Sequence, residues 1–273
     1  MCGTVMSEKL PPFYIITVNY RSREQLREFL ASLAPASLVR RCLIVNHSPE
    51  EDLADLAAPF PVQVISQANA GYGAGLNRGL REIPEPEAVA LLANPDVALL
   101  TPAALTEALG YMAANSRVGC LIPHMVGAAG EALPVCRSFY SLRTLLASRL
   151  PFCRRLWPGA WHGHHYCDQD AAAPREVDWG AGAALLYRVA TAAGRPAFDE
   201  RFFLYFEDVD LCADLWRRGF TVMHYPSLIF RHEVQRQSTS SLRFLGYHLA
   251  SLLKFIWKYR GLPSREDLVR RGP

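Results

Sequence analysis

Three carboxylates, Glu207, Asp208 and Asp210, follow directly on the apolar, aromatic run Phe202-Phe203-Leu204-Tyr205-Phe206. A buried carboxylate is costly unless it is paired, bound to metal or used in chemistry, so acids behind an aromatic wall suggest the rim of a site. Leu211, Leu215 and Trp216 continue as a helical pattern, which puts Glu207 and Asp208 in its first turn, where the macrodipole stabilises negative charge. A carboxylate held there can take the proton of a hydroxyl as a general base. An ordinary capped helix with first-turn acids has the same composition.

Two further stretches carry residue types suited to a phosphorylated ligand. In Asn94-Pro95-Asp96 an amide and a carboxylate close the apolar run Leu91-Leu92-Ala93, and Pro95 restricts Asn94 to extended geometry. A carboxylate at such a strand end can ligate a hard divalent cation that in turn holds diphosphate oxygens. The same three residues also suit a plain turn. The second stretch is Asn69-Ala70-Gly71-Tyr72-Gly73-Ala74-Gly75-Leu76-Asn77. Its glycines allow close backbone approach, and a helix starting there offers N–H groups to an anion. It has neither a Walker lysine nor the GxGxxG spacing, so a helix start that merely packs tightly explains it equally well. His232, taken alone, reads as structural. His162, His164 and His165 with Cys167 lack the paired spacing of a zinc site, and a loop is the plainer reading.

The elements that must position these residues alternate. Phe13 to Val18, Cys42 to Val45, Val62 to Ile65, Ala88 to Leu92 and Val118 to Ile122 read as strands. Glu24 to Leu33, Tyr72 to Ile83 and Pro102 to Met112 read as helices between them. Such alternation implies an α/β fold with a mostly parallel sheet covered on both faces, and ligands bind beyond the carboxyl ends of its strands. That rule singles out Asn19, Asn46-His47-Ser48 and Asn94-Pro95-Asp96. The pattern dissolves from Arg137 to Val177, a segment that suits a flap or an acceptor-side insertion. It returns at Trp179-Gly180-Ala181-Gly182-Ala183, with a strand from Ala184 to Tyr187 and a last one around Thr221 to His224. Ser241 to Tyr259 reads as a long closing helix, with Leu245, Leu249, Leu252 and Ile256 on one face and Arg243, Lys254 and Lys258 on another.

The chain has 273 residues, half of them hydrophobic and a fifth charged, enough for a full core. Its net charge of +3 does not argue for nucleic acid. Seven scattered cysteines without a CxxC pair indicate neither a zinc ribbon nor a disulfide framework, and a reducing cytosol is the simplest compartment. Pro11-Pro12 stands before the first apolar run, so no signal-peptide core is expected. No stretch reaches the roughly 18–20 apolar residues of a membrane span.

In their order along the chain, these motifs resemble the family 2 glycosyltransferases of GT-A fold, and within them the rhamnosyltransferase-like branch. The resemblance runs from about Phe13 to His232 and rests on Ile16-Thr17-Val18-Asn19-Tyr20, the Asn69 to Asn77 stretch, Asn94-Pro95-Asp96, Trp179-Gly180-Ala181-Gly182-Ala183 and Phe198 to Leu211. It implies a GT-A domain over residues 1–235, with 137–177 as the acceptor-side insertion, and a helical extension over 236–273. Asn94-Pro95-Asp96 looks like the family's DxD motif. Asp96 would then bind Mg2+ or Mn2+ and the donor diphosphate, with His232 completing the metal site. Asn94 replaces the motif's first acid, a change the rhamnosyltransferase-like branch shares. Asn19, Asn46, Asn69, Gly71, Asn77, Asn94, Asp96, Trp179 and Gly182 would line the nucleotide-sugar pocket. Asp208 matches the general base, with Glu207 as a supporting contact. The family's Asp-Asn-x-Ser pattern against the base is replaced here by Asn46-His47-Ser48.

The implied activity is inverting transfer of a sugar from a nucleotide diphosphate, best read as L-rhamnose from dTDP-rhamnose, to a hydroxyl of a cell-surface glycan or lipid-linked acceptor. A UDP-hexose or UDP-N-acetylhexosamine donor, or a catalytically silent nucleotide-binding relative, are the alternatives. The closing helix either lies on an anionic membrane surface or packs on the domain or on a second subunit. Lipid-linked acceptors in the family favour the membrane, and with it a cytoplasmic, peripheral location. A homo-oligomer stays open.

Overall fold

The computed structural model describes residues 10–33, 38–166, 172–233 and 242–272. In chain order its elements begin β1 (Phe13–Asn19), α1 (Arg23–Ser32), β2 (Val39–Asn46), β3 (Val62–Ser66), α2 (Tyr72–Leu80), β4 (Val89–Ala93), β5 (Val97–Leu99), α3 (Pro102–Ala114) and β6 (Val118–Val126). They continue with β7 (Ala132–Leu133), β8 (Cys136–Arg137), α4 (Leu142–Arg149), α5 (Pro151–Leu156), α6 (Pro158–His164), β9 (Arg175–Glu176), β10 (Trp179–Gly180) and β11 (Ala184–Arg188). The last are α7 (Glu207–Arg217), β12 (Thr221–His232), α8 (Leu242–Tyr259) and α9 (Arg265–Arg271).

The main sheet has the order β3-β2-β1-β4-β11-β6-β12-β5, with β7 beside β6 and β9 beside β12. Strands β3, β2, β1 and β4 run parallel. Strand β11 runs antiparallel between β4 and β6, which makes the sheet mixed. β1 and β4 are buried along their whole length, as expected of apolar strands covered on both faces. Leu26, Phe29 and Leu30 recur at helical spacing and seat α1 on the sheet, while α2 lays its glycine-rich face against β1 and β2. The strands and helices expected in the first half are all present, with ends displaced by a few residues.

Three expectations change. The segment from Arg137 to Val177 is largely helical, because α4, α5 and α6 follow one another there. Pro151 and Pro158 occupy first-turn positions of α5 and α6, where the missing N–H costs nothing, so both prolines open helices. The last strand runs on to His232, through Pro226, because the β12–β6 register shifts between Tyr225 and Ile229 and spares the proline a ladder bond. On α8 the buried face is Ser251, Phe255 and Tyr259, with Leu252 packed beside it, while Leu245, Leu249, Leu253 and Trp257 face outward. Lys258 is not on a free basic face: its ammonium pairs with Asp199 at 2.9 Å and Asp210 at 2.8 Å. These contacts dock α8 on the 199–210 segment.

Candidate active site

The loop before α7 sets the position of the carboxylates. Tyr205 and Phe206 both adopt left-handed backbone, with φ of 67° and 65°, a conformation that costs bulky residues about 1–2 kcal/mol each. Their rings hold it in place. Tyr205 lies 5.1 Å from His248, and Phe206 contacts Tyr140, His248 and Phe255 at 5.2–5.6 Å. Helix α7 therefore starts abruptly, without a side-chain cap, and its first turn holds Glu207, Asp208 and Asp210. Asp210 turns away from the other two and accepts bonds from Lys258 and the Tyr259 hydroxyl.

Asp208 is half-buried and accepts hydrogen bonds from the backbone N–H of Gly182 at 3.0 Å and of Val209 at 2.8 Å. Burial raises its pKa above the usual carboxylate range, opposed by these amides and by the Arg137 guanidinium. Burial and the neighbouring Asp208 charge raise Glu207 as well, so Glu207 holds its proton to higher pH than a free glutamate. Its Oε2 is buried and has no hydrogen-bond partner. A Cβ at position 182 would stand 3.2 Å from that of Asp208, so a glycine lets this backbone approach the acid.

Asp96 and His232 form a second group. The antiparallel register of β12 on β5 sets His232 opposite Val97, and the Glu233 amide donates to the Asp96 carbonyl. His232 Nε2 thereby stands 3.5 Å from Asp96 Oδ1, an oxygen that is buried and unsatisfied by any hydrogen bond. Among the described residues no cluster of three or more metal-binding side chains occurs. One carboxylate and one imidazole are nevertheless a fitting donor set for a divalent cation that completes its shell with phosphate oxygens and water.

The two groups meet at Tyr72, the first residue of α2. Its phenol is pushed far up by burial and by the charges of Glu207, Asp96 and Asp208, and its hydroxyl donates to the Gly182 carbonyl at 3.4 Å. Next along the chain, the Ala183 carbonyl accepts from the Asn94 amide at 2.8 Å. The short 182–183 segment thus links the metal-type end to the base end.

The other expected residues fall nearby in differing roles. Asn19 donates to Asn46 Oδ1 at 3.0 Å and to Glu51 Oε2 at 2.8 Å, and Asn46 also caps the turn at Ser48. Asn69 accepts from the Gly71 amide, and the Tyr72 amide donates to the Phe203 carbonyl, so these two N–H groups at the start of α2 are spent within the protein. Gly71 has φ 107°, and a Cβ there would lie 2.6 Å from the Phe203 carbonyl oxygen. Asn77 is fully buried, exchanging hydrogen bonds with the Phe198 backbone. Trp179 is buried, its indole donating to the Ser138 carbonyl. The His162–Cys167 grouping falls partly outside the described residues. Within it His164 is buried against Tyr140 and Trp179, with its pKa pushed down to about 3 by burial.

Sequence reasoning missed Tyr72 as a meeting point, and also Arg137 and Glu51. Arg137 stacks 5.2 Å from the Trp179 ring, its Nε buried without a hydrogen-bond partner. Glu51 supplies a carboxylate at the sheet edge where Asn46 replaces the expected aspartate. Neither had a signal of its own, since an isolated charge in a loop reads as surface.

No family model matches the chain. It is 28% identical over 268 residues to N-acetylglucosaminyl-diphospho-decaprenol L-rhamnosyltransferase of Mycobacterium tuberculosis, an alignment covering 92% of this chain and 85% of the relative. Rhamnosyltransferase WbbL of Escherichia coli K12 is 30% identical over 90 residues, 33% of this chain and 34% of that protein. Among solved structures, GalNAc-T7 with UDP, GalNAc and Mn2+ superposes with a TM-score of 0.64 at 12% identity. The match covers 92% of this chain, which spans about half (48%) of that one. Staphylococcus aureus TarS 1-349 in complex with UDP gives 0.55 at 13% identity, covering 89% of this chain and 65% of that one. The fold is that of the GT-A glycosyltransferases, and the protein is a transferase enzyme. Its curated relatives are rhamnosyltransferases, the branch that its motifs resemble.

Proposed function

We propose that the protein is an inverting L-rhamnosyltransferase that takes its sugar from dTDP-rhamnose and delivers it to a hydroxyl of a lipid-linked, diphosphate-bearing acceptor in cell-surface glycan synthesis. The observation that carries this reading is the similarity along nearly the whole chain to a transferase named for that sugar and for a decaprenyl-diphosphate acceptor. A UDP-sugar donor is the second reading, because both GT-A neighbours hold UDP.

Asp208 acts as the general base. The Gly182 and Val209 amides fix its carboxylate, so that it takes the proton of the attacking hydroxyl as the new bond forms. Attack from the face opposite the nucleotide inverts the anomeric centre in one displacement. Glu207, carrying its proton, offers a buried carboxyl to a sugar hydroxyl. Asn19, Asn46 and Glu51 face the nucleotide end, and Asn94 with Asp96 the diphosphate. Asp96 and His232 would hold Mg2+ or Mn2+, which when bound neutralises charge on the departing diphosphate.

Among the described residues no helix is long and apolar enough to cross a membrane. The outward stripe Leu245, Leu249, Leu253 and Trp257 on α8 fits contact with a bilayer surface, where a lipid-linked acceptor is presented.

The deciding test is transfer from dTDP-rhamnose and from UDP-sugars to a diphospho-N-acetylglucosamine acceptor, with Asp208→Asn beside the wild type. The expected outcome is rhamnosyl transfer by the wild type. The variant should lose about 10²–10⁴-fold in turnover, the usual worth of a general base, and keep its donor affinity. Near-wild-type turnover by Asp208→Asn would remove that residue from the role.

A further inference from the structure

From Ala132 to Cys167 the chain contains no aspartate or glutamate, yet it contains Arg137, Arg143, Arg149, Arg154 and Arg155. The first two of the three short helices in this segment, α4 and α5, leave large apolar side chains in solvent. Phe152 is 71% exposed, Leu142 67% and Leu156 54%, and Arg143, Arg154 and Arg155 stand exposed among them. A second acid-free segment runs from Val234 to Arg265 and contains α8, whose Trp257 is 75% exposed. Exposed aromatic and aliphatic groups interleaved with arginine, in segments that carry no carboxylate of their own, match an anionic lipid surface.

The two segments border the same part of the fold. Tyr140, just before α4, lies 5.5 Å from the Phe206 ring, and Phe206 lies 5.2 Å from His248 and 5.6 Å from Phe255 on α8. Phe206 immediately precedes Glu207 and Asp208. Both cationic, apolar elements therefore flank the loop that carries the base.

We propose that the α4–α6 insertion is a bilayer-docking element. Together with the outer face of α8 it forms a two-part foot that seats the Asp208 end of the site on an anionic membrane. The choice of a bilayer as occupant rests on charge complementarity, and its use in catalysis on the lipid-linked acceptor proposed above. Phe152, Leu156 and Leu142 enter the interface, and Arg143, Arg154 and Arg155 meet lipid phosphates, each worth about fivefold in partitioning.

Flotation with vesicles of phosphatidylcholine alone, and of phosphatidylcholine with phosphatidylglycerol, tests this in the full chain. The wild type is expected to float with the anionic vesicles only. Phe152→Glu/Leu156→Glu should lose at least about tenfold in partitioning while turning over a water-soluble, short-chain diphospho-sugar acceptor like the wild type. Retained soluble turnover also shows that the variant is folded. Absence of wild-type flotation overturns the proposal. So does flotation of the double variant at the wild-type level, or a concentration-dependent dimer that the same substitutions abolish. Flotation without any rhamnosyl transfer would leave the docking face standing and remove the proposed activity instead.

Discussion

Asp208 is held between opposing influences, and their balance sets the pH at which the proposed base works. Burial favours its neutral form, while the Gly182 and Val209 amides and the Arg137 guanidinium favour the carboxylate. A base acts only when ionised, so turnover is expected to rise with pH through a value above the ordinary carboxylate range. Arg137→Met removes the cation and shifts the acidic limb of the kcat profile to higher pH. An unmoved limb in that variant would show that Arg137 does not act on Asp208. At this scale the acids behind the aromatic wall were legible, because glutamate and aspartate at a helix start carry their own signal. Tyr72, Arg137 and Glu51 were not, since their meaning comes from neighbours that lie far away in the chain.

At the scale of elements, a buried ion pair helps to fasten α8 to the domain. Lys258 reaches both Asp199 and Asp210, and Asp210 is almost fully buried. Burial raises the Asp210 pKa to about 6 even though Lys258 opposes the rise. In the folded state Asp210 thus holds a proton that the unfolded chain releases. Its contribution makes stability fall as pH rises from the ordinary aspartate value to about 6. Asp199, held far down mainly by Arg201 and also by Lys258, contributes in the opposite sense: its stabilisation is lost as pH falls. Lys258→Met leaves the Asp210 carboxylate buried without its cation. The expected loss is about 3–5 kcal/mol well above pH 6, shrinking in mild acid as Asp210 takes up its proton. Guanidinium denaturation at two pH values measures it, and equal stability of variant and wild type at the higher pH would contradict the assignment. The amphipathic character of α8 was readable from sequence, but its inward face was not. A helix with two apolar stripes has no preferred side until Phe255 and Tyr259 find the pocket beside Phe206 and Asp210.

For the whole molecule, donor binding should behave as a property of the fold. A ligand that binds only the folded state stabilises it by about 2.7 kcal/mol at a hundredfold excess over Kd, which raises Tm by several degrees in a chain of this size. With dTDP-rhamnose, Mn2+ is expected to add to the shift in the wild type and not in Asp96→Ala. Unchanged metal-dependent affinity of that variant, read by calorimetry, would count against Asp96 as a ligand.

The sequence by itself determined the α/β alternation, the strand ends where polar residues gather, and the order of motifs that marks a GT-A transferase. These are local signals, written in hydrophobic period and in residues with special backbone needs. Only the tertiary structure decided that β12 continues past Pro226 to set His232 against Asp96, and that Gly182-Ala183 bridges Asn94 and Asp208. It alone decided that Tyr205 and Phe206 accept left-handed backbone in order to aim α7. The physical reason is the same in each case. Strand register, a strained turn and a shared carboxylate pocket are set by contacts between segments that are separate in the chain, and no single segment carries the energy that selects them.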